Sequence, residues 1–386
     1  MTSEYTSRAR ALAQQVAAKF AEATDREARF PQETVAALRE QRFFGMMVPT
    51  DDGGDGARLD DVAAVCVELA QGCASSAMIF AMHNIKLASL ISHGQQSPWH
   101  RQFMGRIANE QLLLASATTE AGIGGDLRSS VCAVRTDGDN FELAKDATVI
   151  SYGVHADAIL VSARRHPEAP PSDQVLVAVL KNQYRLERIS DWDTLGMRGT
   201  CSEGHRLTAR APTEQILPKP FAEIAAQSML SSSHLLWSSV WFGIASDALA
   251  RAQAFVRAEA RKKPGTTPPG ALRLAEASAM LQSVRSQIVA GLKRFDEARR
   301  DEEDLMSLGF AVAMNNLKVN VSQMVAQIVQ HALLICGIQG YRNNTPYSLG
   351  RHLRDAQSAA LMISNDRILS NTSTMLLAHR HETGLF

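Results

Sequence analysis

The hydrophobic period of this chain changes twice, and that double switch limits its fold more than any other feature. Up to about residue 112 apolar residues recur at helical spacing: Leu12, Val16, Phe20 and Ala23, then Val35, Leu38 and Phe43–Phe44, then a stretch over 58–112 rich in Ala, Leu and Met. Pro31 marks a helix start, and Asp51-Asp52-Gly53-Gly54-Asp55-Gly56 marks a turn. From there to about residue 220 the runs are short and carry β-branched residues: Leu112–Ala115, Val131–Val134, Ala158–Val161 and Gln174–Leu180. Thr136-Asp137-Gly138-Asp139-Asn140 and the proline-rich His166–Asp173 separate them. After Pro218-Lys219-Pro220 the helical stripes return, through Trp237, Val240, Trp241, Ile244, Ala248 and Leu249, then Leu274, Leu281, Ile288 and Phe295, then Leu317, Val321, Met324 and Ile328. Sustained stripes on several long helices predict a bundle, because each stripe must be buried against another. The expected architecture is α with an inserted β domain: an N-terminal helical domain over 1–112, a middle β-barrel-like domain over 113–222 and a C-terminal four-helix bundle over 223–386.

A chain of 386 residues can bury a sizeable core in two or three domains. Its 40 basic and 40 acidic residues leave no net charge, so the basic excess of a phosphate-backbone reader is missing and nucleic acid is not an expected partner. Cys66, Cys73, Cys132, Cys201 and Cys336 are odd in number and form no C-x-x-C, which predicts reduced, mostly buried thiols and a cytoplasmic protein. No run of 18 or more apolar residues predicts a membrane span, and Met1 to Phe20 reads as helix rather than leader. His379 and His381 alone are too few ligands for a metal site, so none is expected. Neither G-x-G-x-x-G after a strand nor G-x-x-x-x-G-K-[ST] occurs, and H-E-x-x-H and G-x-S-x-G are absent too.

Four segments in order carry a resemblance: Val48-Pro49-Thr50-Asp51-Asp52-Gly53-Gly54-Asp55-Gly56, Ala117-Thr118-Thr119-Glu120-Ala121-Gly122-Ile123-Gly124-Gly125-Asp126, Thr194-Leu195-Gly196-Met197-Arg198-Gly199-Thr200-Cys201-Ser202, and Gly340-Tyr341 followed by Arg354-Asp355-Ala356. Together they resemble the acyl-CoA dehydrogenase superfamily, over almost the whole chain and in the same helix–β–helix layout. The resemblance implies FAD, with Thr118, Thr119, Gly124, Gly125 and Ser151 around its ring, the glycines permitting close backbone approach. It places Arg261 on the cofactor pyrophosphate from across a dimer interface, where the guanidinium fork suits phosphate. Gly337, Ile338, Asn365 and Arg367 complete the implied cofactor set. A turn, a strand-end serine and a surface arginine would account for the same residues singly. The resemblance also implies a homodimer or homotetramer, with an electron-transfer flavoprotein or a flavin reductase as redox partner.

The sequence departs from the family where the chemistry lies. The position of the usual catalytic glutamate is Ile363, and the alternative position on the first long C-terminal helix is Ser233 or His234. Neither isoleucine nor serine removes an α-proton at neutral pH. Ala121, Gly125, Pro264, Ile338 and Leu334 stand where the family has other residues. Three readings follow. The first is an oxidoreductase acting on an acyl thioester, bound to CoA or a carrier protein, with Asp366 or His234 as base. The second is a flavin-dependent monooxygenase of the same superfamily using reduced flavin and oxygen, for which Asn365-Asp366 after Ile363 is the signal. The third is a non-catalytic member. A helix cap would also explain Asn365-Asp366.

Overall fold

The computed structural model describes residues 4–124 and 126–380. Its first part is helical: α1 (Glu4–Leu12) and α2 (Ala18–Arg26), joined by a π-helical turn, then α3 (Gln32–Glu40), α4 (Leu59–Gly72), α5 (Ala74–His93) and α6 (Pro98–Glu110). Pro31 is the N-cap of α3, where its missing N–H costs nothing. Helix α5 is buried almost all round, which explains both its apolar composition and its weak amphipathicity. By length and composition α5 could cross a membrane, and so could one long helix nearer the C-terminus. In α5, 89% of the apolar window is buried within the protein itself, among His83, Asn84, Lys86 and His93.

Seven strands follow: β1 (Leu114–Ala117), β2 (Arg135–Asp137), β3 (Asn140–Ala147), β4 (Ala158–Arg164), β5 (Gln174–Leu180), β6 (Tyr184–Ser190) and β7 (Gly204–Pro212). They do not close into a barrel. One sheet has the order β1-β4-β5, with β1 parallel to β4, and the other is antiparallel in the order β2-β3-β7-β6. The chain changes sheets between β5 and β6, through Lys181–Gln183, so consecutive strands that a barrel would pair lie in different layers. Strands β4 and β5 are buried on both faces, which is why they read as continuous apolar runs. Strands β3 and β7 bury only alternate residues, so neither stands out as an apolar run. Val131–Val134, expected as a strand, contributes only the bridge of Ala133 to Arg164. Gly138, at φ +58, makes the turn between β2 and β3.

The last part comprises α7 (Phe221–Ile224), α8 (Leu230–Lys262), α9 (Ala271–Ala298), α10 (Glu302–Leu305), α11 (Leu308–Cys336), α12 (Ile338–Tyr341), α13 (Gly350–Gln357) and α14 (Asn365–Leu376). Helices α8, α9 and α11 form the bundle, and α14 packs on α11 as its short fourth member.

Buried polar bonds fix the three parts to one another. The Leu114 amide donates to His83 Nδ1 at 3.1 Å, which leaves Nε2 to donate to the Phe44 carbonyl at 2.8 Å and ties β1 to α5. Burial pushes the pKa of His83 down to about 4, so it is neutral in this role. Asp25 accepts from Arg354 on α13, and the Asp25 carbonyl accepts from Arg198 Nε at 2.9 Å. The Met197 amide donates to the buried Asp355 carboxyl at 2.7 Å. Gly196 is needed at this junction, because a Cβ there would lie 2.3 Å from the Arg354 carbonyl oxygen. All five cysteines are buried and unpaired.

Candidate functional site

The β domain and the bundle meet at the loop just beyond β1, where Arg367 bonds the Gly124 carbonyl, and the cleft that forms the candidate site is the open side of that junction. Thr119 Oγ1 donates to the Val149 carbonyl at 2.9 Å and accepts from the Val149 amide at 3.3 Å, which fixes the loop after β1 against the turn at 149–152. Gly122 and Gly124 have φ of +88 and +57, the left-handed region that side chains disfavour. A Cβ on either would meet nothing within 4 Å, so the space beside this loop is open. Thr118, Thr119 and Ser151 are half-buried at its edge. Gly125 lies outside the described residues.

Behind the loop, Glu120 is held by Lys145 Nζ at 3.0 Å, Ser130 Oγ at 2.7 Å and the Val131 and Cys132 amides at 3.1 and 2.5 Å. Burial pushes the Glu120 carboxyl upward, but Lys145 and these donors outweigh it and hold its pKa below the ordinary carboxylate value. Lys145 is one of the inward residues of β3, and it also donates to the Ser162 carbonyl at 2.8 Å.

The facing wall comes from the bundle. Lys318 on α11 is completely buried, and its Nζ donates to the Ile363 carbonyl at 2.6 Å and to Asn365 Oδ1 at 2.7 Å. Its ammonium lies 5.5 Å from the centre of the Trp241 ring. Burial brings its pKa down to about 8. Ser322, one turn further along α11, shares Asn365 at 3.0 Å. Ile363 has φ +50, so the turn before α14 is strained and Lys318 helps hold it. From the first turn of α14, Arg367 donates to the Gly124 carbonyl and joins the two walls.

The predicted residues therefore fall into three groups. Thr119 is bonded to Val149, two residues before Ser151, Arg367 bonds Gly124 on the same loop as Thr118, and Asn365 is buried against Lys318 and Ser322, with Asp366 exposed on the same turn of α14. His234 is buried in α8, its Nε2 3.3 Å from Asn315 Oδ1 and its Nδ1 without a protein partner. Burial, and then the charge of Lys318, push its pKa down to about 4, so it is neutral at pH 7. Arg261 stands at the far end of α8, about 40 Å along the helix axis from His234. Gly337, at φ +54, ends α11, and Ile338 beyond it is exposed. Gly337 lies about 28 Å along the α11 axis from Lys318, so within one chain this last group stands far from the Lys318 end of the bundle.

Sequence reasoning missed Lys318, Glu120 with Lys145, and the pair Thr200 and Ser202 beside Ser151. The one available signal was a lysine next to the apolar stripe of Leu317, Val321, Met324 and Ile328. Among the described residues no cluster suits a metal ion. The residues present do fit a flavin. An open face lies beside left-handed glycines, and a guanidinium from the bundle reaches the Gly124 carbonyl.

Comparison with known proteins gives the same picture. Residues 2–111 match the acyl-CoA dehydrogenase N-terminal domain and residues 224–370 the acyl-CoA dehydrogenase C-terminal domain. The chain is 26% identical over 372 residues to the probable acyl-CoA dehydrogenase FadE25 of Mycobacterium tuberculosis, covering 95% of this chain and 92% of that protein. It is also 26% identical over 355 residues to the amino sugar nitrososynthase DnmZ of Streptomyces peucetius, covering 88% of this chain and 84% of that one. Among solved structures, FMN-bound TdsC from Paenibacillus sp. A11-2, a dibenzothiophene monooxygenase, superposes with a TM-score of 0.85 at 19% identity, covering 99% of each chain. At that identity the likeness is one of fold.

Proposed function

The chain belongs to the acyl-CoA dehydrogenase family of flavin-dependent oxidoreductases, and from that premise we propose that it binds FAD in the cleft between the 119–124 loop and the 363–367 turn and oxidises an acyl thioester there. The observation that carries this reading is the open space beside Gly122 and Gly124, next to which Arg367 donates to the Gly124 carbonyl. Bound flavin would supply the two-electron acceptor. Asp366 is then the proton acceptor: it is an exposed carboxylate on the turn that bounds the loop, and no hydrogen bond or ion pair holds it among the described residues. Removal of the α-proton by Asp366 and departure of the β-hydrogen with its electron pair leave the double bond in the product. His234, sealed in the bundle and neutral, supports the wall through Asn315, whose amide donates to Thr372 at 3.0 Å.

Supporting a second copy, Leu334, Ile338, Tyr341 and Leu361 are all more than half exposed, with Leu361 at 76%. In such an assembly Arg261, Gly337 and Ile338 would reach the neighbouring copy's cofactor. An electron-transfer flavoprotein then reoxidises the flavin, and the five unpaired thiols suit a cytoplasmic setting.

One observation favours a second reading. Where the resemblance places a glutamate, Ile363 offers only a backbone carbonyl, and Lys318 already occupies it. A flavin-dependent oxygenase needs no such base, and a reductase would then supply its reduced flavin. The test is an anaerobic titration of the FAD-loaded protein with a panel of acyl-CoA thioesters, followed in the visible flavin band. Bleaching supports the dehydrogenase, and Asp366→Asn should slow it by at least about 100-fold. Bound flavin that no thioester bleaches supports the oxygenase.

A further inference from the structure

A serine inside a helix commonly turns its hydroxyl back to the carbonyl one turn earlier. On α8, Ser233, Ser239 and Ser246 do this, bonding the Met229, Leu235 and Phe242 carbonyls at 2.6, 2.8 and 2.7 Å. Ser238 does not: its hydroxyl is fully buried and has no protein partner. Three more buried side-chain atoms of the same helix share that condition, Nδ1 of His234 and Nε1 of Trp237 and of Trp241. Positions 234, 237, 238 and 241 are spaced i, i+3, i+4 and i+7, so they form one stripe about 10 Å long. The stripe faces α11. His234 Nε2 lies 3.3 Å from Asn315 Oδ1, and the Lys318 ammonium lies 5.5 Å from the centre of the Trp241 ring.

Buried polar groups are nearly all hydrogen-bonded, so four unpartnered atoms on one stripe call for a partner from outside the chain. Its chemistry follows from what the seam between α8 and α11 offers. An indole N–H donates only, and so does an ammonium. Trp237, Trp241 and Lys318 are therefore pure donors, and Ser238 has a proton to give. Lys318 spends two of its three N–H groups on the Ile363 carbonyl and Asn365 Oδ1, both neutral, and no carboxylate among the described residues pairs with it. Asn315 Oδ1 accepts from His234 Nε2, which leaves Nδ1 as the one unspent acceptor of the stripe. A water molecule brings donors as well as acceptors and leaves the Lys318 charge uncompensated. A group that only accepts and carries a negative charge answers both demands.

We infer that the seam between α8 and α11 binds a carboxylate carried on the acyl chain of the substrate, with Lys318, Trp241 and Ser238 as its donors. The inference deepens the thioester reading above and rests on it: the substrate is a dicarboxylic acyl thioester rather than a plain alkyl one. Two placements support the assignment. Lys318 holds the Ile363 and Asn365 end of the turn whose Arg367 bonds Gly124, so the seam lies directly behind the cleft. Trp237 is the half-buried member of the stripe, and the chain enters past it, while Ser238 and Trp241 beyond are fully buried.

The three donors contribute differently. Lys318 supplies the charge, and Trp241 and Ser238 supply direction. Ser238→Ala deletes a hydroxyl that bonds no protein atom, and Trp241→Phe deletes one N–H while keeping an aromatic ring under the ammonium. Asn365→Asp acts from the other side. It gives Lys318 a carboxylate from the protein itself, at the oxygen that already accepts from it at 2.7 Å, and so competes with the ligand for the same ammonium.

The experiment is an anaerobic calorimetric titration of the FAD-loaded protein with matched pairs of thioesters: succinyl-CoA against butanoyl-CoA, glutaryl-CoA against pentanoyl-CoA, and adipoyl-CoA against hexanoyl-CoA. The ratio of affinities within a pair cancels any general effect of a substitution on the fold. In wild type the best dicarboxylic member should bind about 100-fold tighter than its alkyl partner. Lys318→Met and Asn365→Asp should abolish that preference, Trp241→Phe should cut it by about tenfold and Ser238→Ala by about threefold. Alkyl members that bind as tightly as the dicarboxylic ones in wild type overturn the inference and leave the thioester reading standing. So does a preference that survives both Lys318→Met and Asn365→Asp. Should Lys318→Met not fold, Asn365→Asp and Trp241→Phe decide between them. Protein that binds no thioester of either kind overturns the thioester reading itself, and this inference with it.

Discussion

Two lysines are sealed inside this protein, one in the β domain and one in the bundle, and they are held by opposite means. Lys145, in the β domain, meets a carboxylate: Glu120 at 3.0 Å, itself fixed by Ser130 and two backbone amides. Lys318, in the bundle, meets only neutral acceptors, the Ile363 carbonyl and the Asn365 amide, together with the face of Trp241. The first arrangement fixes a charge by charge and leaves it nothing to exchange. The second leaves a buried cation uncompensated, and its pKa falls to about 8. The β-domain wall is thus a permanent scaffold, while the bundle wall holds a group whose charge can change under mild conditions. Lys86 on α5 repeats the second pattern, with only the Met229 sulfur at 3.1 Å and a pKa of about 8.

The contrast is broken most severely by removing Glu120. Glu120→Ala leaves the buried Lys145 cation with only the Ser162 carbonyl and takes an acceptor from Ser130 and from the Val131 and Cys132 amides, and should cost about 3–5 kcal/mol of stability in denaturant unfolding. The pH dependence has a definite sign. The folded carboxyl sits below its unfolded value of 4.5, so its contribution is fully present above that value. It is lost as pH falls through the lower, folded pKa. A loss under about 1 kcal/mol would mean that the pair is no scaffold.

Removing Lys318 should be milder near neutrality and should depend on pH. Lys318→Met deletes a cation that burial already penalises, at the expense of the bonds to Ile363 and Asn365, and should destabilise by about 1–2 kcal/mol at pH 7. Between the folded value near 8 and the unfolded value of 10.5 the unfolded wild-type chain binds a proton that the folded one has released. Wild-type stability therefore gains with rising pH in that window, and the gap to Lys318→Met should widen from about pH 8 and level off near 10.5. Lys86 titrates alike in both proteins and cancels from the difference. Parallel stability curves would show that Lys318 keeps its proton and that the contrast is one of geometry only.

These two lysines also show how far the sequence could be read. The helix–β–helix order was legible because a stripe of period three to four gives way to short runs and then returns. The division of the strands into two sheets was not, because β3 carries Glu142, Lys145 and Asp146 between its apolar residues and does not read as an apolar run. In the site, Thr119, Gly124, Ser151 and Arg367 were reached by resemblance. Lys318 was not, since its partner lies 47 residues away and a neutral amide gives no charge-pair signal. Thr200 and Ser202 lay inside a quoted motif, but nothing local says that they face Ser151. That follows from left-handed turns at Tyr152 and Cys201, conformations that non-glycine residues do not advertise.

The smallest predicted change tests whether the two walls differ by one atom. Asn365→Asp would give Lys318 the kind of partner that Lys145 has. Oδ1 already accepts from Lys318, and the second oxygen would replace an amide that now donates to Ser322 at 3.0 Å. The Ser322 hydroxyl can turn from the Val319 carbonyl, 2.8 Å away, to donate to the new carboxylate. A buried pair of this kind roughly breaks even against a neutral one, so stability at pH 7 should change by less than about 1 kcal/mol. The pH profile should change more than the stability. A carboxylate beside the ammonium favours its charged form, which raises the folded pKa toward the unfolded value and removes the proton release on folding. The alkaline gain that Lys318 adds between pH 8 and 10.5, read against Lys318→Met so that Lys86 cancels, should therefore vanish in Asn365→Asp while persisting in wild type. If the gain survives, the charge of Lys318 is set by its dry surroundings rather than by the absence of one carboxylate oxygen, and the walls differ in solvation instead of partnership.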